Sequence, residues 1–349
     1  MPATELPTRR LGRTDMDITR VGFGAWAIGG PGYAYGWGPQ DDADSAAALR
    51  YAVEHGVNWI DTAPVYGLGH SEEVVRAALA PYAEADRPYL FTKCGLVWDE
   101  RDRTRPPRAA GAPAAIRRDL DGSLRRLGVE RVDLYQLHWP RAAGSPPAET
   151  WQTLLDLRRE GKVRAVGLCG PDVGLVEAPD AVQRPFSAID REAAETLLAR
   201  CTADGVAVLA ASPMQSGLLT GAYSRERVAA LPADDWRRTD GTFVGAALDR
   251  NLDLARRMGQ VAHRRGRTLA AVAVAWTLAW PGVTGAIVGA RRPEQVAGWL
   301  PAATEALDDE DLDEIAEAIE RSGAGTGPTR PPLDRQADAD ERPTSGALA

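Results

Sequence analysis

Eight times between residues 21 and 288 a short apolar run gives way to a loop, and in most intervals the loop leads into a stretch with helical periodicity. The runs lie at 21–24, 57–61, 89–93, 132–138, 163–168, 181–183, 206–210 and 286–288. Short, near-continuous apolar runs suit strands covered on both faces, and hence a parallel sheet with helical crossovers. Residues 44–55 place Ala48, Leu49, Ala52 and Val53 on one side and stop at Gly56. Residues 114–127 space Ile116, Leu120, Leu124 and Leu127 and stop at Gly128; residues 149–160 carry Trp151, Leu154 and Leu155 ahead of Gly161. A glycine just past the last periodic residue is a helix stop. Eight units on about 300 residues suit a closed barrel better than an open sheet.

The expected fold is therefore α/β, a (β/α)8 TIM barrel in one domain over residues 8–320. Residues 8–20 read as an N-terminal β-hairpin, with Gly12 and Asp15 near the turn and Leu11, Met16 and Ile18 around it. Between strands five and six, Pro171, Gly174 and Pro179 leave room only for a shortened or absent fifth crossover helix. Residues 212–242 form a polar loop after strand seven, a candidate lid. Two helices follow it, at 243–265 and 269–280, and two extra C-terminal helices are expected on the barrel. From 321 to 349 the chain is rich in Gly, Pro, Thr, Asp and Arg, which predicts disorder.

Charge and composition exclude several roles. The formal net charge of −8 gives no nucleic-acid footprint. Cys94, Cys169 and Cys201 are odd in number and lack CxxC spacing, so no disulfide framework is expected and a reducing cytoplasm fits. His55, His70, His138 and His263 show no metal-ligand spacing. No signal peptide is expected at the N-terminus. The uncharged run 268–290 is long enough for a bilayer, but Pro281-Gly282 splits it into a helix and a strand, so no membrane span is expected. Lysine occurs only at 93 and 162 in a chain otherwise basic through arginine. A lysine kept in such a background marks a place where the larger, planar guanidinium does not serve.

In a barrel the chemistry sits at the C-terminal ends of the strands. There the strand assignment places Asp61 (strand two), Tyr66 just after it, Lys93 (strand three) and His138 (strand four). Asp61 can hold an ammonium at Lys93, that charge lowers the pKa of a nearby phenol, and His138 can donate to a bound oxygen. A carbonyl between Tyr66 and His138 would be polarised and protonated, and a nicotinamide cofactor must supply the reducing equivalents. Taken singly, each residue has a structural reading: a turn cap, a buried ion pair, a core histidine.

The segments Asp61-Thr62-Ala63-Pro64-Val65-Tyr66-Gly67, Phe91-Thr92-Lys93-Cys94-Gly95 and Leu134-Tyr135-Gln136-Leu137-His138-Trp139-Pro140 resemble signature segments of the aldo-keto reductase family. The resemblance spans roughly residues 8–310. It implies a (β/α)8 barrel closed at the bottom by a hairpin, a catalytic tetrad of Asp61, Tyr66, Lys93 and His138, and a monomer as the family default. It also implies cofactor positions: Ser212, Pro213, Met214, Gln215, Ser216, Gly217 and Leu218 along the pyrophosphate; Gly289, Ala290, Arg291 and Gln295 around the adenosine phosphate; and Gln183 on the nicotinamide amide. Arg291 and Gln295 would hold a 2′-phosphate, which favours NADPH. Three positions depart from the family pattern. Cys169-Gly170 stands where Ser-Asn is usual, Ala211 where an aromatic often stacks on the nicotinamide, and Trp299 where an Asn is expected near the adenine.

Gly22-Phe23-Gly24-Ala25-Trp26-Ala27 mimics a dinucleotide fingerprint, but the Gly- and Pro-rich stretch 28–38 cannot open the helix such a motif needs. Aromatics crowd the predicted top of the barrel, and Trp26, Trp98 and Trp139 are the expected walls of a broad, partly apolar carbonyl pocket. The Arg-rich loop 95–112 reads as a solvated loop first, and otherwise as one that attracts an anionic substrate or covers the site. Two other classes remain open: a barrel lyase forming a Schiff base on Lys93, and a nicotinamide-binding regulatory protein with little turnover.

Overall fold

Side chains alternate across a strand, so eight apolar runs closed into a cylinder present two separate surfaces, one to the helices and one to the lumen. The computed structural model describes residues 5–138, 146–170 and 179–332. A hairpin of β1 (Thr8–Arg10) and β2 (Asp17–Thr19) comes first. The barrel strands follow: β3 (Val21–Gly24), β4 (Trp59–Asp61) and β5 (Tyr89–Cys94). A short antiparallel ribbon of β6 (Leu96–Val97) and β7 (Arg108–Ala109) interrupts them. The barrel resumes with β8 (Val132–His138), β9 (Val163–Cys169), β10 (Ala181–Pro185), β11 (Ala207–Ala211) and β12 (Val283–Gly289). These eight strands form a closed barrel in chain order, every pairing parallel, with β12 joined to β3. All eight expected runs are strands of it.

The crossover helices are α1 (Asp42–Glu54), α2 (His70–Leu79), α3 (Pro113–Leu127), α4 (Pro147–Arg159) and α5 (Ala193–Ala203). The expected shortening or absence of the fifth crossover helix falls on residues 171–178, outside the described residues. The loop after β11 carries the one-turn α6 (Arg225–Ala229) before α7 (Gly245–Arg264) and α8 (Leu269–Leu278). After β12 come α9 (Pro293–Trp299) and α10 (Asp309–Ser322). The two additional helices are α7 and α10, which pack together. Arg264 donates to Asp311 at 2.7 Å across their contact, and Asp308 caps α10 by accepting from Asp311 N–H. No helix among the described residues is long and apolar enough to cross a membrane.

The start of the expected disordered tail is ordered. Residues 321–322 complete α10, and residues 323–332 run back over the loop after β10. Buried Arg191 donates to the carbonyls of Ala324 and Gly327, at 3.1 and 3.2 Å. Gly325 has a positive φ and lies so close to Ile189 that a Cβ would stand 1.7 Å from its carbonyl oxygen. Low hydrophobicity did not forbid order here, because the backbone supplies the contacts. Residues 333–349 lie outside the described residues.

The lower lumen is closed by the hairpin. Leu11, Met16 and Ile18 pack against Trp59, Phe91, Leu134, Ala165 and Leu209 from the strands. The outward residues Ile60, Leu90, Tyr135, Leu137 and Val166 meet the helices instead. Trp59 is fully buried and donates through Nε1 to Thr19 O at 2.8 Å, tying the lumen to the hairpin. Its indole needs the space of Gly22, where a Cβ would stand 2.1 Å from the ring. Gly22→Ala is therefore expected to cost about 1–3 kcal/mol by overpacking, and the smaller ring of a Gly22→Ala/Trp59→Phe double variant should recover part of it. Urea unfolding of the three proteins checks this; a double variant no more stable than Gly22→Ala would remove the steric explanation.

Candidate active site

One pleat above this apolar floor the same strands turn polar. Asp61 follows Trp59 by two residues, Lys93 follows Phe91 by two and Gln136 follows Leu134 by two, so all three face the lumen. All three are buried, at 3%, 0% and 0% exposure. Lys93 Nζ donates to Asp61 Oδ1 at 2.5 Å and to the carbonyl of Thr62 at 2.9 Å. Gln136 Nε2 donates to Asp61 Oδ2 at 3.0 Å. Burial alone pulls the Lys93 pKa down, but the Asp61 carboxylate more than offsets it and holds Lys93 above the ordinary lysine value. The amine stays protonated.

Tyr66 leaves the turn after β4 with its ring centroid 4.9 Å from Lys93 Nζ. The next residue, Gly67, has φ 65°, and a Cβ there would stand 2.0 Å from the carbonyl oxygen of Gly29. Only glycine lets the two loops meet so closely behind the phenol. Burial raises the Tyr66 pKa and Lys93 lowers it; burial wins, and the net shift is upward. The expectation that the ammonium would bring the phenol below its ordinary value is thus corrected: Lys93 limits the rise without reversing it. His138 ends β8, four residues past Leu134 and on the same face. Burial, aided by the Lys93 charge, lowers its pKa to about 3, so the imidazole is neutral.

The other side of this tier is built from small residues. Gly24, Ala211 and Gly289 end β3, β11 and β12 and line a cavity of about 540 Å³ that also reaches Asp61, Tyr66 and Gln183. From the segment after β11, Ser212, Pro213, Met214, Ser216 and Gly217 line it. From the segment after β12, Ala290, Arg291 and Gln295 do so, with Trp299 beside them. Ser212, Gln215 and Ser216 have φ of 54°, 45° and 52°. Left-handed non-glycine residues are strained, and turns of this kind gather backbone N–H groups into a concavity suited to phosphate.

Three expected cofactor residues sit differently. Leu218 is fully buried in the core beneath the loop. The Gln215 side chain turns aside to accept from Ser187 Oγ at 2.7 Å. Cys169 does not line the cavity; its Sγ lies 2.9 Å from Gln183 Oε1. Arg291 does line it, but its guanidinium is already engaged. Nε donates to Gln40 Oε1 at 2.5 Å, Nη1 to Trp37 O at 3.4 Å, and Nη2 to Pro39 O. Gln295 Oε1 accepts from the backbone N–H of Arg291 at 2.7 Å.

The aromatic wall differs from the expected one. Trp26 stacks on Trp236 (centroids 5.1 Å, 16°), lies 6.0 Å from the Tyr66 ring and meets Trp37 edge-on at 5.2 Å. Arg237 sits 4.4 Å over Trp37 and is paired to Asp235 at 2.5 Å. Trp26 thus keeps its expected place, Trp98 does not line the cavity, and Trp139 lies outside the described residues. Trp37 and Trp236 were visible as aromatic density, but their meeting depends on two loops folding together. Arg237 and Gln136 carried no signal of their own.

Comparison with known proteins gives a consistent family. The model of the Aldo/keto reductase family matches residues 20–320. The aldo-keto reductase YhdN of Bacillus subtilis is 32% identical over 322 residues, 88% of this chain and 92% of that protein. An NADH-specific methylglyoxal reductase of Escherichia coli is 33% identical over 328 residues, 89% of this chain and 98% of that protein. Among solved structures, a glycerol dehydrogenase of Gluconobacter oxydans superimposes with a TM-score of 0.81 at 33% identity, covering 96% of this chain and 99% of that one.

The neutral His138 has a measurable consequence for stability. Its folded pKa of about 3 lies below the unfolded value near 6.5. As pH falls below 6.5 the unfolded chain takes up a proton that the folded protein refuses, so stability drops until about pH 3. His138→Asn should therefore lose less stability between pH 6 and 4 than the unaltered protein, by up to about 1.4 kcal/mol per pH unit. Urea unfolding across that range checks it; parallel slopes would mean that His138 does not titrate as described.

Proposed function

The chain belongs to the aldo/keto reductase family, and we propose that it is an NADPH-dependent oxidoreductase that reduces an aldehyde or ketone to an alcohol with Tyr66 as general acid. The observation that carries this reading is the Lys93–Asp61 pair beneath Tyr66, where Asp61 and Tyr66 line the cavity, with a neutral His138 at the end of the neighbouring strand β8. The names of the relatives, a methylglyoxal reductase and a glycerol dehydrogenase, are in line with carbonyl–alcohol interconversion.

The residues present fit a nicotinamide dinucleotide. Small strand ends leave room beside the polar tier, and the strained turn at 212–217 offers backbone donors to phosphate. Gln183 and Trp299 also line the cavity with buried nitrogens, Nε2 and Nε1, that lack partners among the described residues. When bound, the cofactor supplies the hydride. Tyr66, protonated at neutral pH, gives its proton to the carbonyl oxygen. Lys93 stabilises the phenolate left behind, and Asp61 with Gln136 keeps the ammonium in place. Neutral His138 donates a hydrogen bond to the same oxygen. Trp26 and Trp37, with Trp236 stacked behind Trp26, exclude water and give the substrate an apolar wall.

The Schiff-base alternative is not favoured, since an amine 2.5 Å from a carboxylate and held protonated is a poor nucleophile. For the adenosine end, Arg227, Arg291 and Arg292 line one groove together with Asp41 and Asp44. Arg227 and Arg292, beside the braced Arg291, favour the 2′-phosphate, and hence NADPH over NADH.

Tyr66→Phe is expected to lower reduction about 10²–10⁴-fold, the usual share of a general acid, while NADPH affinity by fluorescence titration stays nearly unchanged. Loss of both together would make Tyr66 structural. Arg291→Ala should weaken NADPH more than NADH. Equal weakening would leave Arg291 only as the brace of residues 37–40 and sink the 2′-phosphate assignment.

A further inference from the structure

Gln183 has one arm of its amide in use and one idle. It lies on β10 with 3% exposure and lines the cavity. The strand register sets it beside Cys169, the last residue of β9, and the Gly170 N–H donates to the carbonyl of Gln183 at 3.1 Å. Both backbones are therefore held by the sheet, and the side-chain contact does not depend on a mobile loop. Cys169 Sγ stands 2.9 Å from Gln183 Oε1. On the other side of the amide, Nε2 is buried with no partner among the described residues.

A thiol is a weak donor and a weaker acceptor, so the amide oxygen faces the sulfur and the NH2 group faces away. The thiol is also kept in the form that can donate. Burial pushes the Cys169 pKa up to about 12, and the opposing effect of Lys93 does not bring it back. An apolar or ionised side chain at 169 would remove this preference, and the amide would then be free to turn its oxygen the other way.

We infer that Cys169 is a positioning residue: its thiol fixes the orientation of Gln183 so that Nε2 presents its donors to an acceptor oxygen, the carboxamide oxygen of a nicotinamide ring. This rests on the reading of the cavity as a nicotinamide cofactor site. It assigns a role to a residue that does not itself line the cavity, and it explains how the chain holds the carboxamide with Cys169-Gly170 in place of a Ser-Asn pair. The thiol orients one strong donor, where two polar side chains would each have made a bond.

The test compares binding of the whole dinucleotide with binding of its nicotinamide-free half. Affinities of the unaltered protein, Cys169→Ala and Cys169→Ser are measured for NADPH against 2′-phospho-ADP-ribose, and for NADH against ADP-ribose, by calorimetry without substrate. Cys169→Ala is expected to weaken the dinucleotide about tenfold, the loss of roughly one oriented hydrogen bond, and to leave the half-molecule unchanged. Cys169→Ser, which keeps a donor, should restore most of the difference. Unchanged half-molecule affinity also shows that the variants are folded at the site. Cys169→Ala with unaltered dinucleotide affinity overturns the inference, as does equal weakening of dinucleotide and half-molecule. If the unaltered protein binds neither, the cofactor reading itself fails and this inference falls with it; if it binds both and is indifferent to residue 169, only the inference falls.

Discussion

The rest of the site depends on a charge that cannot leave. Lys93 has no exposed surface, and its ammonium lies 2.5 Å from Asp61 at the middle of a closed barrel. Burying either partner alone would cost several kcal/mol, so each makes the other tolerable. Gln136 and the carbonyl of Thr62 complete the ring of partners. The Lys93 ammonium, held there by Asp61, then serves as a fixed positive charge beneath the Tyr66 ring. It limits how far burial can raise the phenol's pKa, and it pushes His138 toward its neutral form. An arginine is bulkier and planar, and its geometry would not fit a point charge under a ring.

Such a charge needs a dry floor, and the hairpin supplies it. With Leu11, Met16 and Ile18 closing the lumen below Trp59 and Phe91, the polar tier rests on packed apolar side chains. The low dielectric that makes the pair costly also makes its field felt by its neighbours. On the opposite wall the strands end in Gly24, Ala211 and Gly289, and the missing side-chain volume becomes the cavity. Charge on one side and space on the other thus come from the same pleat of the same barrel. Backbone strain at Ser212, Gln215 and Ser216 lies in the loop that faces this space.

The chain already wrote much of this in its order of residues. Strand alternation is a property of the backbone, so Asp61 two after Trp59, Lys93 two after Phe91 and His138 four after Leu134 had to share the lumen once eight strands closed. The apolar runs, the hairpin, the barrel and the convergence of Asp61, Tyr66, Lys93 and His138 were therefore legible without coordinates. The segment after β11 was expected at the site through its resemblance to a family segment, and Ser212, Pro213, Met214, Ser216 and Gly217 do line the cavity.

What only the tertiary structure decided involves loops, burial and choice among equivalent partners. No spacing rule says that Trp26 meets Trp37 and Trp236, since the loops after β3 and β11 must fold over one another to bring them together. Nor does one say that Arg291 is braced by residues 37–40. The direction of the Tyr66 shift depends on whether desolvation or the Lys93 charge prevails, and sequence contains no measure of burial. Residues 323–332 are ordered through carbonyls gripped by Arg191, a contact that composition cannot register because every residue has a carbonyl. The sequence determined which groups face the lumen through the two-residue repeat of a strand; the structure alone decided how far each is shielded from water, and so what each can do.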